Sequence, residues 1–457
     1  MTDIAEVVGP LVADAATANH CPEISWGVVI DGAIAAHGGS PDRVFRIASM
    51  TKSFTCAAVL VLRDEGFLSI DVPVSEYAPE LAGICGPLRS PPITLRHLMS
   101  MTSGLATDDP WADRHLDMSP DEFDRLCAAG PRFAHRTGAR FEYSNLGYGM
   151  IGRVVERVTG QRVRHHVTER LLEPLGLTRT TWDCPDHDDW ARPHVVRDGG
   201  AVVDPMPPLG DGEVALMAGL WSTITDLAAW TTWLDDAIGR PDADDWTALA
   251  PTSRREMQAP HAALGIREGF GRHRPTDYCL GVNVRDDPTL GTVVAHSGGL
   301  PGYGSNMRWI AGRGVAAIAL SNVTYAPMSE LTTRMLVALH EAGLIPGRPR
   351  MAPDDVDRSA RRLVDLLNSW DDTAPNGLFA DNVALDLDLQ RRAHAARELI
   401  AAHGHIHIDS ITCTGAADAS ITAHADDGTE VRISLRLAPL PDPLIQEYVV
   451  TAVEEPA

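Results

Sequence analysis

The chain has 457 residues, 44% of them apolar, more than one typical core accommodates, so two or more domains are expected. Its 39 Lys and Arg against 62 Asp and Glu leave a formal net charge of -23, which argues against a nucleic-acid partner and for an acidic, solvated surface. No apolar run reaches the ~18 residues that a membrane-spanning helix needs, so no membrane partner is expected.

The first stretch, "MTDIAEVVGPLVADAATANH", lacks the basic and apolar regions of a signal peptide. The 7 cysteines are scattered and form no C-x-x-C pair. Both features point to a cytoplasmic protein with reduced thiols and no cysteine-held metal. Residues 24–39, "ISWGVVIDGAIAAHGG", read as a β-hairpin turning at Asp31-Gly32. Next comes "RIASMTKSF" (46–54), in which Lys52 follows Ser49 by three residues and opens an apolar helix that stops near Gly66. Lysine is costly to bury, and one alternative is a helix-capping serine with a solvated lysine. Residues 93–240 read as helix and loop, broken by Gly, Pro and Asp. Within them His165-His166 is expected to face water, and the acidic run 183–190 to be a solvated loop. Trp221, Trp230 and Trp233 are expected in the core or cleft wall, with Trp221 the candidate for substrate contact.

Strands return over 291–322, with Gly312 and Gly314 at a turn. Strands at both ends with helices between predict one antiparallel sheet flanked by helices, beside an all-helical subdomain, with a cleft between the two parts. This is an α+β domain over residues 1–345. A Pro-rich linker follows over 346–354, then a small α+β domain over 355–457. That last domain carries helices at "SARRLVDLLNSW" and "LQRRAHAARELIAAHG", then a hairpin about Asp427-Gly428. His403, His405 and His407 alternate near its start; with no carboxylate or cysteine pattern beside them, a partly exposed strand is the expectation rather than a metal site.

Three motifs now stand in order: Ser49-Met50-Thr51-Lys52, Tyr143-Ser144-Asn145 and His296-Ser297-Gly298-Gly299. Each is common alone. Together, the first opening a helix and the last on a strand, they resemble the serine β-lactamase and penicillin-binding-protein superfamily. The branch they resemble holds class C β-lactamases, D-alanyl-D-alanine carboxypeptidases, D-aminopeptidases and esterases. "EGFLSIDVPVSEY", "ITLRHLMSMTSGL", "LLEPLGLTRTTW" and "AGLWSTITDLAAW" extend the likeness over roughly residues 5–345. The C-terminal domain resembles the NTF2-like fold.

The resemblance implies a serine hydrolase that needs no cofactor and no metal. Ser49 and Lys52, at i and i+3, share a helix face within hydrogen-bond reach. The serine needs a base, either Lys52 kept neutral by burial or a Tyr143 phenolate favoured by the nearby amine. The backbone N–H of Ser49 is one oxyanion donor, and by the resemblance that of Gly299 is the other. Asn145 is expected to hold Lys52 and the substrate carbonyl. Gly298 lets substrate lie along the strand edge. His296 and Ser297 stand where β-lactamases carry Lys and Thr, and a neutral His anchors a carboxylate less well than Lys.

The expected substrate is a small peptide-like molecule or carboxylic ester. Two other functions share the motifs: an acyltransferase working through the same acyl-enzyme, and a non-catalytic penicillin-sensor-like protein. The C-terminal domain is a candidate for ligand binding, for forming homo-oligomers or for capping the cleft. Loops near 105–130 and 180–215 are expected to wall the pocket.

Overall fold

The computed structural model describes residues 3–453 apart from 88, 186–188, 198–201, 206–208, 241–245, 270–271, 346–353, 371–376 and 414–416. The chain divides into two compact units, Met1–Gly347 and Arg348–Ala457. Residues 346–353 of the expected linker lie outside the described residues.

The first unit is organised on one eight-stranded antiparallel sheet. Its strands are β1 (Ile24–Ile30), β2 (Ala33–Gly38), β3 (Ala262–Gly269), β4 (Arg272–Tyr278), β5 (Asn283–Asp287), β6 (Gly291–Leu300), β7 (Tyr303–Ile310) and β8 (Val315–Ser321). Their order across the sheet is β2-β1-β8-β7-β6-β5-β4-β3, so the N-terminal hairpin pairs with the last strand and the two ends of the unit meet. Sequence reading missed β3, β4 and β5. They are rich in Gly, Arg and Asp and lack the period-two apolar pattern of a half-buried strand. The hairpin turns at Asp31 and Gly32, both at positive φ (51° and 83°), as a type I′ turn requires. Between β7 and β8 the buried carboxylate of Asp235 accepts the N–H groups of Gly312 and Gly314 at 2.6 and 2.8 Å.

Helices α1 (Ile4–Ala18) and α5 (Met328–Glu341) cover one face of the sheet, where Val8, Trp26, Ala317, Ala319 and Met335 share a core. A second, larger core joins the sheet to α2 (Thr51–Asp64), α3 (Leu146–Thr159) and α4 (Ile224–Gly239). Every residue of α2 from Thr51 to Leu62 is buried, which matches the unbroken apolar run Cys56–Leu62; the buried polar residues Thr51, Lys52, Ser53 and Thr55 gather at its start. Trp230 of α4 stacks on Phe54 of α2 with ring centroids 3.9 Å apart and donates to Ser53 Oγ at 3.1 Å.

The region 93–240 is not purely helix and loop. It also holds a short hairpin, His194–Arg197 with Val202–Pro205, and Trp221–Ser222 pairs with Phe45–Arg46. Two further expectations are corrected. His166 is buried, with a ring nitrogen 3.2 Å from the carbonyl of Ala58; only His165 is exposed. Trp221 is 1% exposed, packed edge-on to Trp190 and Tyr303 and beneath the Arg46 guanidinium, so it is core rather than substrate contact. In the acidic run, Asp183 pairs with Arg164 and Asp189 with Arg179 at the surface.

The second unit has its own core. Helices α6 (Asp354–Asn368) and α7 (Leu389–His403), with a short helix Asp381–Asp386 between them, precede a four-stranded antiparallel meander. Its strands are Ile406–Cys413, Asp418–Ala425, Glu430–Leu437 and Ile445–Val453. The middle two alternate buried and exposed strictly, the pattern of a sheet with one wet face. His403 and His407 do have carboxylates beside them: they pair with Asp427 and Asp426. Among the described residues no cluster of His, Cys, Asp or Glu is arranged to hold a metal, and no helix is long and apolar enough to cross a membrane.

Asp235→Ala strands two backbone donors at the β7–β8 turn. Urea unfolding should show a loss of about 1–3 kcal/mol, the usual penalty for unpaired buried polar groups.

Candidate active site

The site begins at the turn before α2. Residues Ala48–Met50 form one 3₁₀ turn that runs into the helix. Ala48 sits at φ 51°, a left-handed conformation that an alanine adopts only under constraint. The constraint is visible on both sides of Ile47. Its N–H donates to Leu220 O at 3.0 Å, and its carbonyl accepts Ser305 Oγ of β7 at 2.7 Å. Ser49 follows directly, with its side chain at the edge of an open cavity of about 700 Å³.

Lys52 is fully buried, and its Nζ donates to Ser49 Oγ at 2.9 Å and to Met217 O at 3.0 Å. The reading as a solvated surface lysine is thereby excluded. Burial lowers its pKa to about 8, while Asp109, Asp113 and Asp108 act in the opposite sense. The amine also lies 4.9 Å from the ring centroid of Tyr143 and 5.2 Å from that of Tyr148.

Tyr143 and Asn145 arrive from the start of α3. Asp108 holds that start, accepting the N–H groups of Asn145 and Leu146, each at 2.8 Å, as a cap from a separate loop. Tyr143 is partly buried against the cavity, and burial, followed by Asp109, pushes its phenol well above its ordinary range. The phenolate suggested by sequence is therefore disfavoured. Asn145 also departs from expectation. Its Nδ2 donates to Asp108 Oδ1 at 3.2 Å and Asp109 Oδ1 at 2.6 Å, with no hydrogen bond to Lys52. Its Oδ1 is buried with no hydrogen-bond partner.

The third motif lies on β6. Strand β5 pairs with β6 only from Gly291 to Ala295, whereas β7 pairs along it to Leu300. From His296 to Gly299 the strand therefore has one unpaired edge, and these four residues line the cavity with Ser49. Gly298 is demanded by packing. A Cβ there would stand 2.3 Å from Ile47 O and 2.9 Å from the Ala48 side chain, so only glycine lets β6 approach the turn that carries Ser49. A Cβ on Gly299 would stand 2.9 Å from the Tyr325 ring. Ser297 Oγ accepts from Asn306 Nδ2 at 2.9 Å.

His296 is buried, and burial with Lys52 nearby lowers its pKa to about 3, so the ring is neutral. Its Nδ1 lies 2.6 Å from Ser297 O and its Nε2 3.2 Å from Tyr278 Oη. A carbonyl only accepts, so Nδ1 carries the proton and Nε2 accepts from the phenol.

A family model described as Beta-lactamase matches residues 6–370. The chain belongs to the beta-lactamase family. Esterase EstB from Burkholderia gladioli is 29% identical over 346 residues, which span 66% of this chain and 82% of the esterase. Protein flp from Staphylococcus aureus (strain MW2) is 33% identical over 144 residues, 31% of this chain, and the chain spans only 29% of that relative's length. Among solved structures, the octameric penicillin-binding protein homologue from Pyrococcus abyssi superposes with a TM-score of 0.62 at 19% identity, covering 96% of this chain and 97% of that one. The fold is that of beta-lactamase-like and penicillin-binding-protein-like proteins.

Within this beta-lactamase-family site, the sequence points to one outer wall only as a loop near 105–130, without its residues, and not to the wall at Tyr325. Asp109 and Asp113 form one side, and Tyr325 with Met328 another; Tyr278 stands at the back against His296. The 105–130 segment does reach the cavity, but described residues of 180–215 do not line it; 186–188, 198–201 and 206–208 lie outside the described residues. Asp109 was legible only as part of a loop. Tyr325 carries one local signal, a position just after the last strand, but its φ of 53° is not written in the sequence.

Gly298→Ala should separate β6 from the Ser49 turn. The expected loss is about 1–3 kcal/mol, as for overpacking, with a disproportionate fall in hydrolytic turnover. Thermal unfolding alongside p-nitrophenyl acetate turnover measures both.

Proposed function

We propose that the protein is a serine hydrolase that cleaves an amide or ester bond of a small peptide-like or carboxylic ester substrate through an acyl-enzyme on Ser49. The observation that carries this reading is the 2.9 Å contact between a cavity-facing serine and a buried lysine.

A charged ammonium offers three protons, and Lys52 has two hydrogen-bond acceptors. The neutral amine suits the site better. Its lone pair takes the Ser49 proton while one N–H stays on Met217 O. Ser49 Oγ then attacks the substrate carbonyl as its proton passes to Lys52 Nζ. The tetrahedral oxyanion is held by the N–H groups of Ser49 and Gly299; each such donor is worth about 3 kcal/mol in transition-state stabilisation. The leaving amine or alcohol takes a proton from Lys52, with Tyr143 relaying it as a neutral acid. Water enters, loses its proton to the same pair, and frees the acid with Ser49 restored.

His296, Ser297 and Gly298 form the strand wall along which the acyl part lies, and the open edge of β6 supplies backbone partners for a peptide-like substrate. His296 serves as a neutral support for this wall through Tyr278 and the Ser297 carbonyl.

Ser49→Ala should abolish hydrolysis of p-nitrophenyl esters and labelling by a fluorophosphonate, with unchanged circular dichroism; labelling that persists elsewhere refutes the assignment. Lys52→Ala should lose about 10³-fold or more in kcat/KM, since base and nucleophile act together. Because the neutral amine is the active form and its pKa is lowered to about 8, kcat/KM should climb as pH rises through that value and level off above it. A rise confined to much higher pH would instead indicate the Tyr143 phenolate.

A further inference from the structure

Resting on the Ser49 hydrolase reading above, we propose that the cavity selects substrates bearing a protonated amine close to the scissile carbonyl, and that Asp113 receives that ammonium. The ligand class is therefore a cationic ester or amide, such as one built on an amino acid with a free amine.

The three aspartates near Lys52 are not equivalent. Both oxygens of Asp108 are spent on the start of α3. Asp109 spends Oδ1 on Asn145. Asp113 is 5% exposed, lines the cavity, and accepts only the Tyr325 hydroxyl, at Oδ2 and 3.0 Å. Its Oδ1 takes no hydrogen bond from any described residue. A buried carboxylate with one oxygen free of protein donors on a substrate cavity is suited to accept from a charged donor on the substrate.

The charges around it point the same way. Asp113 is faced by Asp109, Lys52, Arg114 and Tyr325. The Lys52 amine is turned to Ser49 and Met217. Arg114 is exposed, and its guanidinium donates to Pro110 O at 3.1 Å and lies 3.4 Å from the Tyr325 hydroxyl. Across the cavity the strand wall offers His296, which is neutral, and Ser297. Arg114 lines the same wall as the two carboxylates, but its guanidinium is exposed and turned to Pro110 O and the Tyr325 hydroxyl, so two carboxylates against one engaged cation, opposite a wall without a cation, favour a cationic substrate over an anionic one. Burial, and after it the Asp109 charge, raise the Asp113 pKa to about 6 against the opposing hydrogen bond from Tyr325, so the carboxylate is higher than an ordinary one.

Tyr325 is the support for this arrangement. It sits at φ 53°, a strained conformation for an aromatic residue, with its ring over Gly299 and its hydroxyl on Asp113. It thus ties the carboxylate to the strand that bears the proposed oxyanion donor.

The test uses three meta-substituted phenylboronic acids, which add reversibly to a serine nucleophile: aminomethyl (cationic), hydroxymethyl (neutral) and carboxy (anionic). Against the full-length wild-type chain the cationic compound should inhibit at least about tenfold more tightly than the neutral one, and the anionic one least. The ratio of kcat/KM for p-nitrophenyl glycinate, whose ammonium can donate, to that for its neutral isostere, p-nitrophenyl propionate, should fall about tenfold or more in Asp113→Asn. Equal inhibition by all three boronates, tighter binding of the anionic one, or an unchanged ratio in Asp113→Asn overturns the proposal. Should that variant fail to fold, the wild-type boronate series decides alone. Ester turnover that is lost in Ser49→Ala yet shows no cation preference refutes only the role of Asp113; turnover that survives Ser49→Ala refutes the hydrolase reading itself.

Discussion

The site depends on an amine held out of water beside a hydroxyl. Removing an ammonium from solvent costs several kcal/mol unless it is paired or loses its charge. Lys52 meets that demand on both counts: burial shifts it toward the neutral form, and three aspartates at a distance keep the shift from running further. A lysine with those same carboxylates in contact would remain an ammonium and could not accept a proton. One without them would give up its proton so readily that it would be a weak base. The separation between amine and carboxylates therefore sets the chemistry, and the surrounding fold sets the separation.

Three elements far apart in the chain must meet to achieve this. The strained Ala48 turn is gripped by Leu220 on one side and by Ser305 of β7 on the other. The strand β6 comes close enough to matter only because residue 298 has no side chain. The start of α3 is fixed by Asp108 from another loop, which places Tyr143 against the amine. Each contact is between segments whose order in the chain says nothing about their distance in space.

That division explains what could be read from sequence. Periodicity located the central helix, the N-terminal hairpin, the strands β6 to β8 and both long helices of the second unit, because each has its own local pattern. The Asp31-Gly32 turn was legible because a type I′ hairpin needs two residues that tolerate positive φ. Strands β3 to β5 were not legible: they form the outer part of the sheet, and their Gly-, Arg- and Asp-rich sequences carry no period-two apolar pattern. The three motifs marked Ser49, Lys52, Tyr143 and the β6 wall, which converge on one cavity except that Lys52 and Asn145 lie behind it. Asp113 and Tyr325 were missed because a carboxylate in a loop and an aromatic after a strand are ordinary in sequence. The amide of Asn145 suits Lys52 and a substrate carbonyl equally in sequence, but the nearby aspartates compete for its Nδ2 and win. His166 and Trp221 were misjudged for a related reason, since the partners that bury them come from other segments.

One contrast within the first unit has an evolutionary consequence. The serine and lysine ride on α2, which is enclosed from Thr51 to Leu62 by packing on every side. The outer rim is contributed by surface segments around Asp109–Arg114 and Tyr325–Ser329. Away from Asp109 and Asp113, which act on Lys52, mutations on the rim can therefore accumulate and recombine with little effect on the reactive pair, so one scaffold can acquire new preferences in small steps while its bond-breaking apparatus stays under tight constraint.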